Sequence, residues 1–320
     1  MTVWLLTDAA MDAHASAGHP ERPERRAAVA DGVRDGAEAV GAGLVEQRAD
    51  EVAAELIHAV HDPSYLTLLA AAEGGAEMWL DPDTYLVRGS LRAAHLAAGA
   101  TVEAAMAVAD GRAEVAFAVV RPPGHHATAE RGGGFCVFNN AALAVAALRR
   151  NGVAQRIAIL DWDVHHGDGT QAIFEADPDL CYASTHQTPF YPGTGSLGER
   201  GSGAAAGTKH NRPLPPGAGN DQFVAAWRDA LLPAVEAFRP AALIISAGYD
   251  AHRDDPLAHL EVTEDGYAAV ARSVGQMSVR LGLPGVALTL EGGYDLAALR
   301  ASAAATVQGL IEGRRPSEGA

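Results

Sequence analysis

At 320 residues and 48% hydrophobic content, the chain can build one large core and is of ordinary size for a single α/β domain. With 24 Lys and Arg against 40 Asp and Glu, its formal charge is −16, which disfavours nonspecific nucleic-acid binding because phosphates need basic patches. Two cysteines, Cys136 and Cys181, cannot make a disulfide framework, so a reducing compartment is expected. The opening Met1-Thr2-Val3-Trp4 lacks a basic leader, and no apolar run approaches bilayer-spanning length, so a soluble, cytoplasmic protein with no membrane partner is expected. The acidity would attract cationic substrates within a Debye length. No internal repeat is visible.

In chain order, Val3 to Leu6 read as a strand and Met11 to Glu21 as a polar loop holding His14 and His19. Pro23 stands where a helix would start, ahead of a helical pattern from Glu24 to Val40. Leu44 to Gln47 suggest a strand. Ala53 to Val60 and Ser64 to Glu73 suggest short helices, and Gly74 to Ser90 a loop with Asp81, Asp83 and Tyr85. A long Ala-rich helix from Leu91 to Asp110 precedes the apolar run Val115 to Val120, read as a central strand. Helix Ala141 to Arg150, strand Ile157 to Leu160, a helix near Thr170 to Glu175 and strand Leu180 to Ser184 follow. Thr185 to Asn220 is the longest stretch without a helix or strand pattern, and it includes Tyr191; structureless stretches of that length are usually functional. It is no phosphate cradle, since no G-K-[ST] opens a helix there. Its part from Pro192 to Asn220 could instead wall a pocket or form a homo-oligomer interface. A helix from Asp221 to Phe238, strand Leu243 to Ile245, a Thr263-capped helix to about Leu281, strand Val286 to Leu290 and a helix from Asp295 to Ile311 close the chain, leaving Glu312 to Ala320 frayed.

Strands alternating with helices imply a mostly parallel central sheet with helices on both faces. Four strand ends carry polar residues: His125 and His126, Asp161 to Asp168, Asp250, and Tyr294. Parallel strands place such ends on one rim, where ligands of open α/β sheets collect. Within Asp161-Trp162-Asp163-Val164-His165-His166-Gly167-Asp168, Asp163 and His165 are two apart, so an extended backbone would point both the same way. A carboxylate beside an imidazole suits a borderline cation such as zinc. Calcium fits poorly: counted from Asp161, the sixth and twelfth loop positions are His166 and Ala172, where Gly and Glu are required.

Arg121-Pro122-Pro123-Gly124-His125-His126, the Asp163-x-His165-His166-Gly167-Asp168-Gly169 block, Gly248-Tyr249-Asp250 and Glu291-Gly292-Gly293-Tyr294 together resemble the zinc-dependent histone deacetylase superfamily, which includes bacterial acetylpolyamine amidohydrolases and acetoin-utilisation proteins. The matching motifs run from about His19 to Tyr294 in the family's order. His19-Pro20-Glu21-Arg22-Pro23 and Asp250 to Pro256 look closer to the class II and bacterial branch. The resemblance implies an arginase-deacetylase type of α/β fold over residues 1–320. It places one zinc on Asp163, His165 and Asp250, makes His126 a general base and His125 its electrostatic partner, and orients them through Asp168 and Asp161 respectively. It makes Tyr294 a donor to the substrate carbonyl. Gly134, Phe135, Tyr191 and Leu257 match the walls of a narrow acyl-lysine tunnel, and Asp83 falls near a rim carboxylate. Asp161 and Ser184 match ligands of a monovalent cation site, potassium by expectation. The implied activity removes acetyl or short acyl groups from an amine, with acyl-lysine in protein or peptide as the substrate and acetylpolyamine as the alternative. Leu257, where a polyamine gatekeeper would be acidic, favours acyl-lysine; the net charge leans the other way. A dimanganese ureohydrolase is more distant, since the third cluster offers only Asp250 where further bridging ligands are needed and Tyr294 would be idle, and so is an inactive acyl-ligand binding module, since the metal ligands, both histidines and Tyr294 are all present.

Overall fold

The computed structural model describes residues 1–72 and 77–316. The chain opens with β1 (Thr2–Thr7), α1 (Glu24–Ala39), β2 (Gly43–Arg48), α2 (Ala54–Val60) and α3 (Pro63–Ala72). A hairpin of β3 (Met78–Asp81) and β4 (Thr84–Leu86) then leads to α4 (Ser90–Ala109), β5 (Val115–Ala118), α5 (Asn140–Arg150), β6 (Ile157–Asp161), α6 (Asp168–Ile173), β7 (Leu180–Gln187) and β8 (Lys209–Leu214). Then α7 (Asn220–Ala226) passes through a π turn, Trp227–Leu231, into α8 (Leu232–Phe238), and β9 (Ala242–Ala247), α9 (Glu264–Arg280), β10 (Val286–Leu290) and α10 (Leu296–Arg314) complete the fold.

Eight strands form one sheet in the order β2-β1-β5-β10-β9-β6-β7-β8, every pair parallel. All residues of β5, β6, β7 and β10 are buried. Neighbouring residues on a strand point to opposite faces, so both faces must be covered. One cover is the layer of α1, α10 and α9, which pack side by side; another is α4 with α5 and α2. The chain builds outward to β2, steps back past β1 to β5, crosses to β6, β7 and β8, and returns to insert β9 and β10 between. The four strands whose ends carry the polar motifs, β5, β10, β9 and β6, are therefore consecutive neighbours at the centre of the sheet, where the winding direction reverses. Such reversals open a crevice at the carboxyl ends of the strands. No helix among the described residues is long and apolar enough to cross a membrane, and both cysteines are free and buried.

The structure departs from the sequence expectations in several places. The stretch from Gly74 to Ser90 is not all loop: its described part contains the β3–β4 hairpin, while Gly74, Gly75 and Ala76 lie outside the described residues. The stretch from Thr185 to Asn220 holds the end of β7 and all of β8. β8 reads Lys-His-Asn-Arg-Pro-Leu and shows no apolar alternation because it is an edge strand, where polar residues and Pro213 are tolerated. The expected helix from Asp221 to Phe238 is present, with a π turn inside it that seats Trp227 in the core, its indole N–H donating to Thr185 Oγ1 at 3.1 Å. Thr263 precedes α9 without capping it; its hydroxyl accepts from Asn220 Nδ2 at 2.8 Å. α10 runs to Arg314, so residues 312–314 are helical, and 317–320 lie outside the described residues.

Candidate active site

Beyond β5 the chain turns through Arg121 to His126, and buried polar groups fix this loop. The Arg121 guanidinium pairs with Glu21, Nε to Oε1 at 2.6 Å, and Glu21 also pairs with Arg25 at 2.8 Å, all three fully buried. Opposite charges that saturate one another are the condition under which such ions can be buried. From the end of β10, the Glu291 carboxylate accepts the N–H groups of Gly124 (2.7 Å) and His125 (3.1 Å) and the Ser246 hydroxyl (3.1 Å). One buried acid thus ties together the ends of β5, β9 and β10.

After Asp161 the backbone does not stay extended, contrary to the expectation for Asp163 and His165. It bends: Asp161 Oδ1 accepts the Asp163 N–H at 3.2 Å, and Asp163 Oδ1 accepts the His165 N–H at 2.9 Å. Successive Asx-type turns of this kind replace the strand ladder. They converge three side chains, because Asp250 Oδ1 reaches over to accept the Val164 N–H at 2.8 Å. Asp163, His165 and Asp250 each offer a ligand atom, and these atoms lie within 4.8 Å of one another. His165 Nδ1 is 3.0 Å from Asp163 Oδ1 and 3.2 Å from Asp250 Oδ2. Asp250 Oδ2 is buried without a hydrogen-bond donor, an arrangement that is costly unless a cation satisfies it. Two buried carboxylates and one imidazole could hold a borderline divalent cation and would leave a coordination position open. Gly292 closes over them. It donates to Asp163 Oδ2 at 2.7 Å, and a Cβ on it would lie 2.0 Å from Asp250 Oδ2.

The histidine pair stands beside this triad, ring centroids 4.1 Å apart. His125 Nδ1 faces Asp161 Oδ2 at 3.1 Å, and His126 Nδ1 faces Asp168 Oδ1 at 2.7 Å. The Tyr182 hydroxyl also donates to Asp161 Oδ2, at 2.9 Å. Burial would lower the His125 pKa, but the Asp163 and Asp161 charges raise it well above the ordinary value. His126 is pulled down to about 4 by burial and by His125. Paired imidazoles pushed in opposite directions are the pattern expected of an acid/base site. Burial opposes ionisation of Asp168, yet its hydrogen bond to His126 keeps its carboxyl below the usual range. Burial raises the Tyr294 phenol.

A cavity of about 280 Å³ leads to these groups. Gly134, Phe135, Tyr191, Leu257 and Asp83 line it with His125, His126, His165 and Tyr294, so the structure brings all of the expected wall residues to one place. The hairpin missed in the sequence positions two of them: Asp81 Oδ2 accepts the Gly134 N–H and Thr84 Oγ1 the Phe135 N–H, both at 2.9 Å. Gly134 has φ +53°, and a Cβ there would press on the His126 ring at 2.5 Å. Asp83 is raised to about 6, first by burial and then by Asp81. On the far wall, Asp255 accepts the Tyr294 N–H at 2.7 Å and the Leu257 N–H at 2.9 Å. The Arg25 guanidinium lies 4.9 Å from the Tyr294 ring centroid and donates to the Gly293 carbonyl. Glu21, Arg25, Tyr182, Asp255 and Glu291 had no assigned role in the sequence. Glu21, Asp255 and Glu291 stood inside motifs visible in the sequence, whereas Arg25 and Tyr182 left no signal because their partners are remote along the chain.

The histone deacetylase domain model matches residues 19–310. A "Probable deacetylase" of Archaeoglobus fulgidus is 41% identical over 280 residues, spanning 87% of this chain and 77% of that protein. Histone deacetylase 15 of Arabidopsis thaliana is 38% identical over 302 residues, 92% of this chain and 53% of that larger protein. Among solved structures, an HDA15 HD domain superposes with a TM-score of 0.88 at 35% identity, covering 97% of this chain and 90% of that one. The acetylpolyamine aminohydrolase from Burkholderia pseudomallei superposes with a TM-score of 0.84 at 34% identity, covering 96% and 98%. With a family match over nearly the whole chain and the same fold beneath it, the chain belongs to the histone deacetylase family.

Proposed function

We propose that this protein is a zinc-dependent amidohydrolase that removes acetyl or short acyl groups from an amine, with acyl-lysine in a protein or peptide as its substrate. The observation that carries this is the meeting, at the floor of one narrow cavity, of a buried Asp-His-Asp donor set, two carboxylate-paired histidines and a tyrosine hydroxyl. Asp163, His165 and Asp250 would hold the metal, and the unsatisfied Asp250 Oδ2 supports that fit. A zinc there supplies Lewis acidity, lowering the pKa of a water to about 7 and polarising a carbonyl.

The remaining work falls to the chain. Phe135, Leu257 and Tyr191 enclose the aliphatic part of the substrate and exclude water. His126, with Nδ1 held by Asp168, turns Nε2 to the cavity and takes a proton from the attacking water. Tyr294 donates its hydroxyl hydrogen to the carbonyl oxygen as negative charge develops there. The histidine pair then returns a proton to the leaving amine, and acetate departs. His125, held between Asp161 and the triad, keeps a positive charge beside the reacting centre. A potassium ion is proposed beside Asp161 and Ser184, which face each other in register across β6 and β7.

The acetylpolyamine alternative draws support from Asp83, the one carboxylate among the cavity's lining residues. Its raised pKa weakens it as a permanent anchor for an ammonium, and Leu257 offers none. The test is hydrolysis of an acetyl-lysine peptide and of acetylputrescine, in parallel, by the zinc-loaded protein. Preference for the peptide is expected. Preference for acetylputrescine would overturn the acyl-lysine reading, and failure to hydrolyse either substrate or their short-acyl counterparts would overturn the amidohydrolase reading itself.

A further inference from the structure

Of the 24 Lys and Arg residues in the sequence, only Lys209 is a lysine. It is fully buried, at the start of the edge strand β8. An ammonium so placed normally needs a carboxylate partner. Lys209 Nζ instead donates to three neutral oxygens: the Leu180 carbonyl at 2.8 Å, the Asp177 carbonyl at 3.2 Å and the Thr208 hydroxyl at 2.7 Å. Three donors meet three acceptors, so the ammonium is saturated. The two carbonyls belong to one turn, between α6 and β7. Carbonyl oxygens converging on a point are how proteins replace the hydration shell of a monovalent cation. Burial pulls the amine down to about 8, against the charges of Asp177 and Glu175, so it is charged at neutral pH.

We propose that Lys209 is a tethered cation filling a carbonyl-lined monovalent-cation site at the turn between α6 and β7, so that the fold carries its own ammonium where a free potassium or ammonium ion would otherwise fit. The site is separate from the one proposed at Asp161 and Ser184. It ties the edge strand to a turn whose flanking elements matter to the active site, since α6 opens with Asp168 and β7 carries Tyr182.

The test is Lys209→Ala, followed by thermal unfolding in choline, potassium, ammonium and n-butylammonium chlorides at one ionic strength. Stranding the carbonyls should lower Tm by about 5 °C in choline. Potassium, ammonium or butylammonium should restore most of that loss, and the wild type should show no matching gain with butylammonium. Crystals soaked in thallium should show an anomalous peak beside the Asp177 and Leu180 carbonyls in the variant and none there in the wild type. Lys209→Met, which keeps the stem and removes the charge, should be as destabilised as the alanine variant and gain nothing from butylammonium. Cation-selective recovery with the new peak supports the site. A methionine variant as stable as wild type, or an alanine variant with neither recovery nor peak, overturns it.

Discussion

Substituting Gly292→Ala tests how tightly the donor set is packed. The added Cβ would stand 2.0 Å from Asp250 Oδ2 and 2.5 Å from Asp163 Oδ2, below the 3.0 Å that real contacts respect. Neither carboxylate can swing aside freely. Asp250 Oδ1 is held by the Val164 N–H at 2.8 Å, and Asp163 Oδ2 by the N–H of Gly292 itself at 2.7 Å. The strand end or the carboxylates must therefore give way by about 1 Å, and a displacement of that size at reacting groups costs on the order of 100-fold in rate. Overpacking adds a stability cost of about 1–3 kcal/mol, or about 2–5 °C in Tm for a chain of this length. Zinc affinity would be measured by chelator competition, kcat/KM on an acetyl-lysine peptide, and Tm on the same samples. Gly43→Ala is the control, because its Cβ would meet nothing closer than 3.9 Å. Loss of zinc affinity and turnover with a modest fall in Tm is expected. If Gly292→Ala bound zinc and turned over within a few-fold of wild type, the packing argument and the assignment of the triad would both fail.

Tyr294→Phe should cut kcat by about 100- to 1,000-fold with Tm nearly unchanged, since none of the described residues hydrogen-bonds its hydroxyl; unaltered turnover in the purified variant would remove Tyr294 from the mechanism. Leu257→Glu puts a carboxylate on the cavity wall and should shift kcat/KM from the peptide toward acetylputrescine, read as the ratio of the two; an unmoved ratio would mean that position 257 does not select substrate. Burial holds His14 and His61 at about 4 and His186 at about 3. An unfolded chain would protonate all three near pH 6.5, so it binds more protons than the native state below that pH. The share of stability these histidines contribute is then full above pH 6.5 and falls as pH drops toward 4, by up to about 1.4 kcal/mol per pH unit for each. Burial raises Glu291 and Asp255 to about 7 and Asp83 to about 6, and these acids act with the opposite sign in the same window, so the effect is read by difference: from pH 7.5 to pH 5 the urea midpoint of His61→Gln should fall less than that of the wild type, and identical slopes would contradict the burial of that ring.

The strands and helices that could be read directly are those with a local signature. Ile157 to Asp161 and Val286 to Leu290 are apolar runs because both faces of the sheet are covered, and α4 announces itself by its length and alanine content. The polar motifs could be placed at strand ends for the same reason: each follows its apolar run immediately. β8 left no such trace, since an edge strand need not alternate, and the β3–β4 hairpin is too short and mixed to stand out from a loop.

The site divides along the same line. Sequence alone determined which side chains could do chemistry and which strand ends carried them, because those properties belong to residues and their immediate neighbours. Tertiary structure decided that β5, β10, β9 and β6 lie side by side, that Asx turns converge Asp163 with Asp250, and that Glu21 reaches Arg121 across 100 residues of chain and Glu291 the loop of His125 across 166. Those outcomes depend on crossover order and on the pairing of buried charges between remote segments, and no local pattern encodes contacts at such separations.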